Sequence, residues 1–473
     1  MPAMLESSDS DPRPVWKRAM SIVPGLLAAV LCASAAAEDA QVVDPHDARP
    51  GTLCAWHAAD GLPYEYFVPA TYDPAVGANL TLVLHGNGLD QRWTFFNHPA
   101  GEFRAADIVV SPEGTTFTKG TNANEFLGTV DDAKRLHELI TELKKVWNVK
   151  QVFLYGHSQG SFFVFYYAGL FPDEVDGVCG HSSGVWNWTT TGTKGRHQAI
   201  GLMHGTLDGN VPYGQSWWGR KYYEETAKYP LVHLRTLFDW GHQPNWGQAE
   251  LQLAWCEGMT SEDAARLAAC LQTLGAPDVP LGTDWSALWA VADRLAQLKA
   301  ATDDQRVLAA GVAKKVDELA ARHIAAVETS LGKGGAGSLK KLPSGPAAGH
   351  LIRLLEEFHG VPALESWTRK NQATLKALSE TAQSAYDDYQ RNLTGDPKKA
   401  FDAGLTLLES GWIHYDLPAV LKQLDKLAAG TDVKVSDADR KKLSGLGDAY
   451  RASRKDGFEE CAQLDAEVKP LEP

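Results

Sequence analysis

The stretch VFLYGHSQGSFFVFYYAGLF, residues 152–171, decides the reading of this chain. An apolar run suited to a buried strand breaks at Gly156 and resumes at Gln159 as a long aromatic-rich segment suited to a buried helix. The break itself is GHSQG, a GxSxG pattern. Its glycines leave room for a tight strand-to-helix turn that pushes the Ser158 hydroxyl out above a sheet. The pattern alone is common. The strand before it and the helix after it give it meaning.

Working outward, residues 52 to about 240 alternate short β-rich runs with helical ones. TLCAWHA and LPYEYFVPA flank the turn ADG, a hairpin signal. NLTLVLHG, DIVVSP, QVFLYG, VDGVCGHS, AIGLMHG and LVHLRTLFDW follow as strands. Helical patterns lie between several of them, clearest where Leu136, Leu139, Ile140, Leu143 and Val146 recur at helical spacing. Such alternation specifies an α/β fold with a mostly parallel central sheet flanked by helices. Past the linker-like GAPDVPLG the composition turns to Ala, Leu, Lys, Glu and Gln, giving an all-α region with helix-start boxes at Thr302/Gln305 and Ser436/Asp439. GKGGAGSLKKLPSGPAAG, from residue 332, is a flexible break inside it. The expected organisation is an α/β domain over 38–275 and a helical accessory domain over 276–473, without internal repeats.

A serine raised on such a turn needs a base, an acid to orient the base, and donors for an oxyanion. Asp208, in LMHGTLDGNVPY, and His242, in LFDWGHQPNW, each follow an apolar strand, in the order Ser, Asp, His. Chemistry gathers at the carboxyl ends of strands in open α/β sheets. The main-chain N–H groups of Asn87, in LVLHGNGLD, and of Gln159 are the candidate oxyanion donors. Trp93, Trp186, Trp188 and Trp217 lie near these loops and are the candidate substrate-binding residues, although tryptophan is mostly buried in any fold.

HGNG, GHSQG, HGTLDGNVPY and GHQP together resemble the α/β-hydrolase superfamily over residues 51 to about 250. Within it they are similar to the secreted esterase branch of polyhydroxybutyrate depolymerase-like, feruloyl esterase-like and phospholipase/carboxylesterase-like proteins. The resemblance implies Ser158 as nucleophile, Asp208 as acid and His242 as base, cleaving a small-molecule or polymeric carboxylic ester. Ser161 stands where many relatives carry a further glycine. Two other readings stay open: a noncatalytic scaffold whose helical half binds a partner, and a serine peptidase of the same superfamily.

The formal net charge of −14 over 473 residues gives no basic footprint for nucleic acid. Lys17 and Arg18 precede an apolar run that ends in Ala35-Ala36-Ala37, so residues 1–37 read as a signal peptide and the mature protein as secreted or periplasmic, without a membrane span. Export permits disulfides, and Cys256 with Cys270 is the first-choice pair among five cysteines past that point. No cofactor or metal is expected. Glu356 and His359, spaced i, i+3 in EEFH, read as a solvated helix face.

Overall fold

The computed structural model describes residues 40–185, 196–276, 281–332, 335–338, 346–410, 417–430 and 434–468. The signal-peptide reading of residues 1–37 lies outside them, as do Trp186 and Trp188. Among the described residues eleven strands run in chain order as β1 Gln41–Val42, β2 Leu53–His57, β3 Pro63–Phe67, β4 Ala78–Leu84, β5 Ile108–Pro112, β6 Thr116–Thr118, β7 Ala123–Glu125, β8 Val149–His157, β9 Gly177–His181, β10 Ala199–Gly205 and β11 Val232–Leu237. Nine form one sheet in the order β1-β2-β3-β5-β4-β8-β9-β10-β11, and β6 with β7 makes a separate hairpin. From β5 through β11 every neighbour is parallel. β3 is antiparallel to both β2 and β5. The hairpin expected around ADG is the β2–β3 pair, with Leu53 opposite Phe67.

The helices of the sheet-containing half are α1 Trp93–Asn97, α2 Val130–Val146, α3 Gln159–Leu170, α4 Gly214–Lys221, α5 Trp246–Thr260 and α6 Ala264–Leu274. Strand periodicity sorts the core into two faces, because successive side chains point to opposite sides. On β8, Phe153 and Tyr155 join one buried cluster, whereas Val152 and Leu154 join the other. The second cluster takes in Leu136, Leu139, Ile140 and Leu143 of α2 and Phe163 to Tyr167 of α3. α2 starts in a capping box, with Thr129 and Asp132 each satisfying the other's backbone N–H.

The all-α region follows as α7 Trp285–Gln297, α8 Asp303–Leu331, α9 Pro346–Glu357, α10 Pro362–Lys370, α11 Gln372–Asn392, α12 Pro397–Ser410, α13 Leu417–Ala429, α14 Asp437–Ala452 and α15 Phe458–Ala466. Thr302 and Gln305 form the expected capping box, and the Ser436 hydroxyl accepts from the Asp439 N–H. The first cluster does not stop at residue 275. It runs from Val83, Phe153 and Met203 under the sheet, through Leu253 of α5, to Leu319, Leu354 and Leu424, and residues 39–473 make one compact unit.

Two expectations are corrected here. Cys256 and Cys270 are free and buried; the Cys256 Sγ sits 3.6 Å from the Val178 carbonyl, so α5 turns this thiol toward the sheet rather than toward α6. Glu356 is not on a solvated face but buried, within hydrogen-bond reach of Thr236 Oγ1 on β11 at 3.2 Å and 3.7 Å from Arg220. Nearby, Arg454 lies 5.1 Å from the Phe238 ring centre and 3.8 Å from Asp239, so the helical region touches the loop after β11.

Candidate active site

Ser158 sits at the junction of β8 and α3 with φ 53° and ψ −116°, a left-handed conformation that side-chain-bearing residues rarely adopt. The flanking glycines explain how it is tolerated. A Cβ on Gly156 would stand 2.4 Å from the Gly160 carbonyl oxygen, and one on Gly160 would stand 2.5 Å from the carbonyls of Leu84 and His85. Strand and helix can therefore close around the turn only if both positions lack a side chain. Ser161 is buried and hydrogen-bonds Ser183, so a hydroxyl fits at this position in place of a further glycine.

The structure brings Ser158, Asp208 and His242 together. His242 Nε2 is 3.0 Å from Ser158 Oγ, and His242 Nδ1 is 2.8 Å from Asp208 Oδ2. Asp208 is buried in the turn after β10, where its other oxygen accepts the N–H groups of Asn210 and Val211, each at 2.9 Å. Burial alone would raise its pKa. The hydrogen bonds from His204 and His242 outweigh burial and hold the carboxyl well below its ordinary range, so it is an anion and must accept. His242 Nδ1 therefore carries the proton, and Nε2 is left to accept from the serine hydroxyl.

The loop carrying His242 is anchored from several sides. The Leu207 N–H donates to the Trp240 carbonyl at 2.8 Å, and the Asp239 N–H donates to Thr206 Oγ1 at 2.9 Å. Gly205 permits that approach, since a Cβ there would meet the Trp240 carbonyl at 2.3 Å. His157, next to the serine, donates Nε2–H to the carbonyl of His242 itself at 2.6 Å. Burial and the neighbouring His242 push the His157 pKa down to about 4, so it is a neutral strut.

Asn87 and Gln159 converge as well. Among the described residues neither main-chain N–H is taken up by a hydrogen bond. Their side-chain amides both donate to Glu125 of β7, Asn87 at 2.7 Å and Gln159 at 3.1 Å. Glu125 is buried and thus cross-links the two candidate donor loops. Of the tryptophans, Trp93 is buried and stacks on His157 with ring centres 5.5 Å apart. Trp217 is only 3 % exposed, packed edge-on against Trp218 and under the Lys221 ammonium. It is a core residue with almost no surface to offer a substrate, which corrects the expectation placed on it. Among the described residues the exposed phenylalanine and tryptophan rings are Phe96, Phe117 and Trp218.

Sequence reasoning missed Glu125, His157 and His204. His204 Nε2 is 3.3 Å from Asp208 Oδ2, and the two residues stand i, i+4 in HGTLD. His157 was visible inside GHSQG, but only the fold reveals its partner. Glu125 carried no sequence signal.

Residues 94–238 match the family model described as alpha/beta hydrolase fold. A comparison with curated proteins found no match. Among solved structures the chain is similar to a thermostable esterase, at 18% identity over 40% of this chain and 54% of that one, TM-score 0.32. It thus spans about half the length of that esterase. It is also similar to the feruloyl esterase module from Clostridium thermocellum, at 14% identity over 42% of this chain and 83% of that one, TM-score 0.31, and to the Bacillus cereus carboxylesterase, at 17% over 42% and 94%, TM-score 0.35. Such low identities carry no activity across. The sheet order, the strained strand-to-helix turn at Ser158 and the family match over residues 94–238 give the sheet-containing half of this chain an α/β-hydrolase fold.

Proposed function

We propose that the chain is a serine hydrolase that cleaves carboxylic esters through an acyl-enzyme, with Ser158 as nucleophile, His242 as base and Asp208 as the acid that orients it. The observation that carries this reading is the hydrogen-bonded line from Asp208 Oδ2 through His242 to Ser158 Oγ, with links of 2.8 and 3.0 Å. In the first half-reaction His242 Nε2 takes the serine proton as Oγ attacks the ester carbonyl. The Asn87 and Gln159 N–H groups receive the oxyanion, and the imidazolium returns its proton to the departing alcohol. Water then attacks the acyl-serine with His242 again as base, releasing the acid. Asp208 stabilises the imidazolium without taking its proton.

Fluorophosphonate labelling mapped by mass spectrometry tests the nucleophile, alongside turnover of short-chain nitrophenyl esters. Label on Ser158, with turnover abolished in Ser158→Ala and His242→Ala, is the expected result. A folded wild-type protein that takes no label and turns over no ester would leave a noncatalytic scaffold. The proposal extends to export, supported by the basic pair, apolar run and alanine run of residues 17–37. An intact mass corresponding to a chain that begins after Ala37 is expected for protein recovered outside the cytoplasm; an unprocessed chain retained inside would sink it.

A further inference from the structure

The helical region holds a second cluster of chemistry-bearing groups that the proposed reaction does not use. His323 on α8, His350 on α9 and Cys461 on α15 are all buried, and one ligand atom from each lies within 4.8 Å of the others. Three separate helices converge on this point. His323 Nδ1 faces His350 Nε2 at 2.9 Å.

The surroundings decide which nitrogens carry protons. Asp465 Oδ1 lies 3.0 Å from His323 Nε2, and Arg353 donates to the other oxygen of that carboxylate at 3.1 Å. A carboxylate so held accepts, which puts the His323 proton on Nε2 and aims the Nδ1 lone pair into the cluster. His350 Nε2–H must then donate to it. That arrangement leaves His350 Nδ1 as a buried acceptor with no hydrogen-bond partner among the described residues, which folded proteins avoid. Glu460 Oε2 stands 3.7 Å from this Nδ1, and as an acceptor it has use only for a proton there. The groups are arranged for the opposite tautomer of His350, with a proton at Nδ1 and a lone pair at Nε2. A cation between the rings would take both lone pairs and suit that tautomer.

The geometry points to a metal site, in which His323 Nδ1, His350 Nε2 and the Cys461 thiolate bind a zinc ion that ties α8, α9 and α15 together. Two imidazoles and a thiolate are a donor set that zinc favours, and a water completes the tetrahedron. Each histidine then turns its far nitrogen toward a carboxylate, Asp465 at 3.0 Å from His323 and Glu460 at 3.7 Å from His350, the kind of partner that orients metal-binding imidazoles. α15 supplies a ligand and both carboxylates from the single run EECAQLD, residues 459–465. Zn–N bonds of about 2.0–2.1 Å at a tetrahedral angle set ring nitrogens roughly 3.4 Å apart, so the two rings part by about 0.5 Å. Binding releases the Cys461 thiol proton to solvent, while His350 exchanges its Nε2 proton for one at Nδ1.

The test is titration of chelator-stripped, full-length protein with zinc alone, followed by calorimetry and by X-ray absorption of the loaded protein. One equivalent is expected to bind and to raise the unfolding temperature, with a first shell of one sulfur near 2.3 Å and nitrogens near 2.0–2.1 Å. Asp465→Asn should weaken binding by about 10–100-fold, and Cys461→Ser by more. Both variants should keep their circular dichroism and their ester turnover, since neither residue belongs to the Ser158 site. No stoichiometric zinc in the wild type, or an undiminished equivalent in Cys461→Ser, would overturn the site. Should Cys461→Ser fail to fold, the absorption spectrum of the wild type decides, because a shell lacking sulfur also overturns it.

Discussion

In the sheet-containing half the groups arranged for chemistry sit in loops at the carboxyl ends of strands: Ser158 after β8, Asp208 after β10 and His242 after β11. In the helical half the groups that converge sit inside helices, as His323, His350 and Cys461 do. A loop can be strained to aim one side chain, as φ 53° at Ser158 shows. A helix cannot, so its polar groups meet only where neighbouring helices pack in register. Loop chemistry therefore leaves glycines in the sequence, whereas helix chemistry hides among ordinary core positions.

The sharpest contrast between the halves comes from single atoms. Ser158→Ala is expected to lower kcat for a nitrophenyl ester by about 10⁶-fold while leaving the unfolding midpoint unchanged; residual turnover within tenfold of wild type would remove the sheet-containing half's claim to the chemistry. Asp208→Asn should cost about 10⁴-fold, because His242 loses the partner that sets its tautomer.

Two further changes probe how separate the halves are. Glu356→Ala, far from the sheet in sequence, leaves Arg220 and Thr236 facing a gap and should destabilise the protein by about 3 kcal/mol. Urea unfolding should remain one transition, as the shared apolar cluster requires; two well-separated transitions would mean that the halves fold independently. The second concerns pH. His157 is held at about 4 in the fold against 6.5 in the unfolded chain. Below 6.5 the unfolded state takes up the proton that the folded state refuses, so this residue's contribution is lost as pH falls toward 4. Glu65, raised by burial to about 7, acts in the opposite sense. The quantity to measure is the stability of wild type minus that of His157→Gln, which should fall by about 3 kcal/mol between pH 7 and pH 4, at about 1.4 kcal/mol per pKa unit. A pH-independent difference would mean that His157 is not neutral and buried.

The smallest expected effect is at Glu125. Glu125→Gln should reduce kcat by about tenfold with KM little changed, short of the 10²–10³-fold that loss of an oxyanion donor itself costs. An unchanged kcat would show that Asn87 and Gln159 hold their places without it.

The succession of β2 to β5 and β8 to β11 along the chain, the helix-start boxes and the meeting of Ser158, Asp208 and His242 were legible because each rests on local periodicity or on the rule that loops at one sheet edge share a space. What escaped depends on partners distant in the chain. Glu125 reaches Asn87 and Gln159 from a hairpin with no motif. Trp217 follows Asp208 closely in sequence, but α4 turns it into the core. Glu356 looked solvated because nothing in EEFH reveals that β11 lies against it. The Cys256–Cys270 pairing failed since closeness in sequence says nothing of which way a helix turns its thiol.

The stacking of Arg454 on Phe238, four residues before His242, has a consequence for the making of the protein. A ribosome delivers the chain from its amino end, and domains generally fold as they emerge. A nascent chain that has released residue 275 already owns Ser158, Asp208 and His242, yet the guanidinium that braces the loop beside the base is still more than 150 residues from being synthesised. At that stage the sides of α5 and α6 that pack on α7 also lack their helical cover. Maturation of the Ser158 centre is thereby coupled to delivery of the whole chain, and a fragment cut after the sheet is expected to emerge sticky and with the His242 loop unbraced.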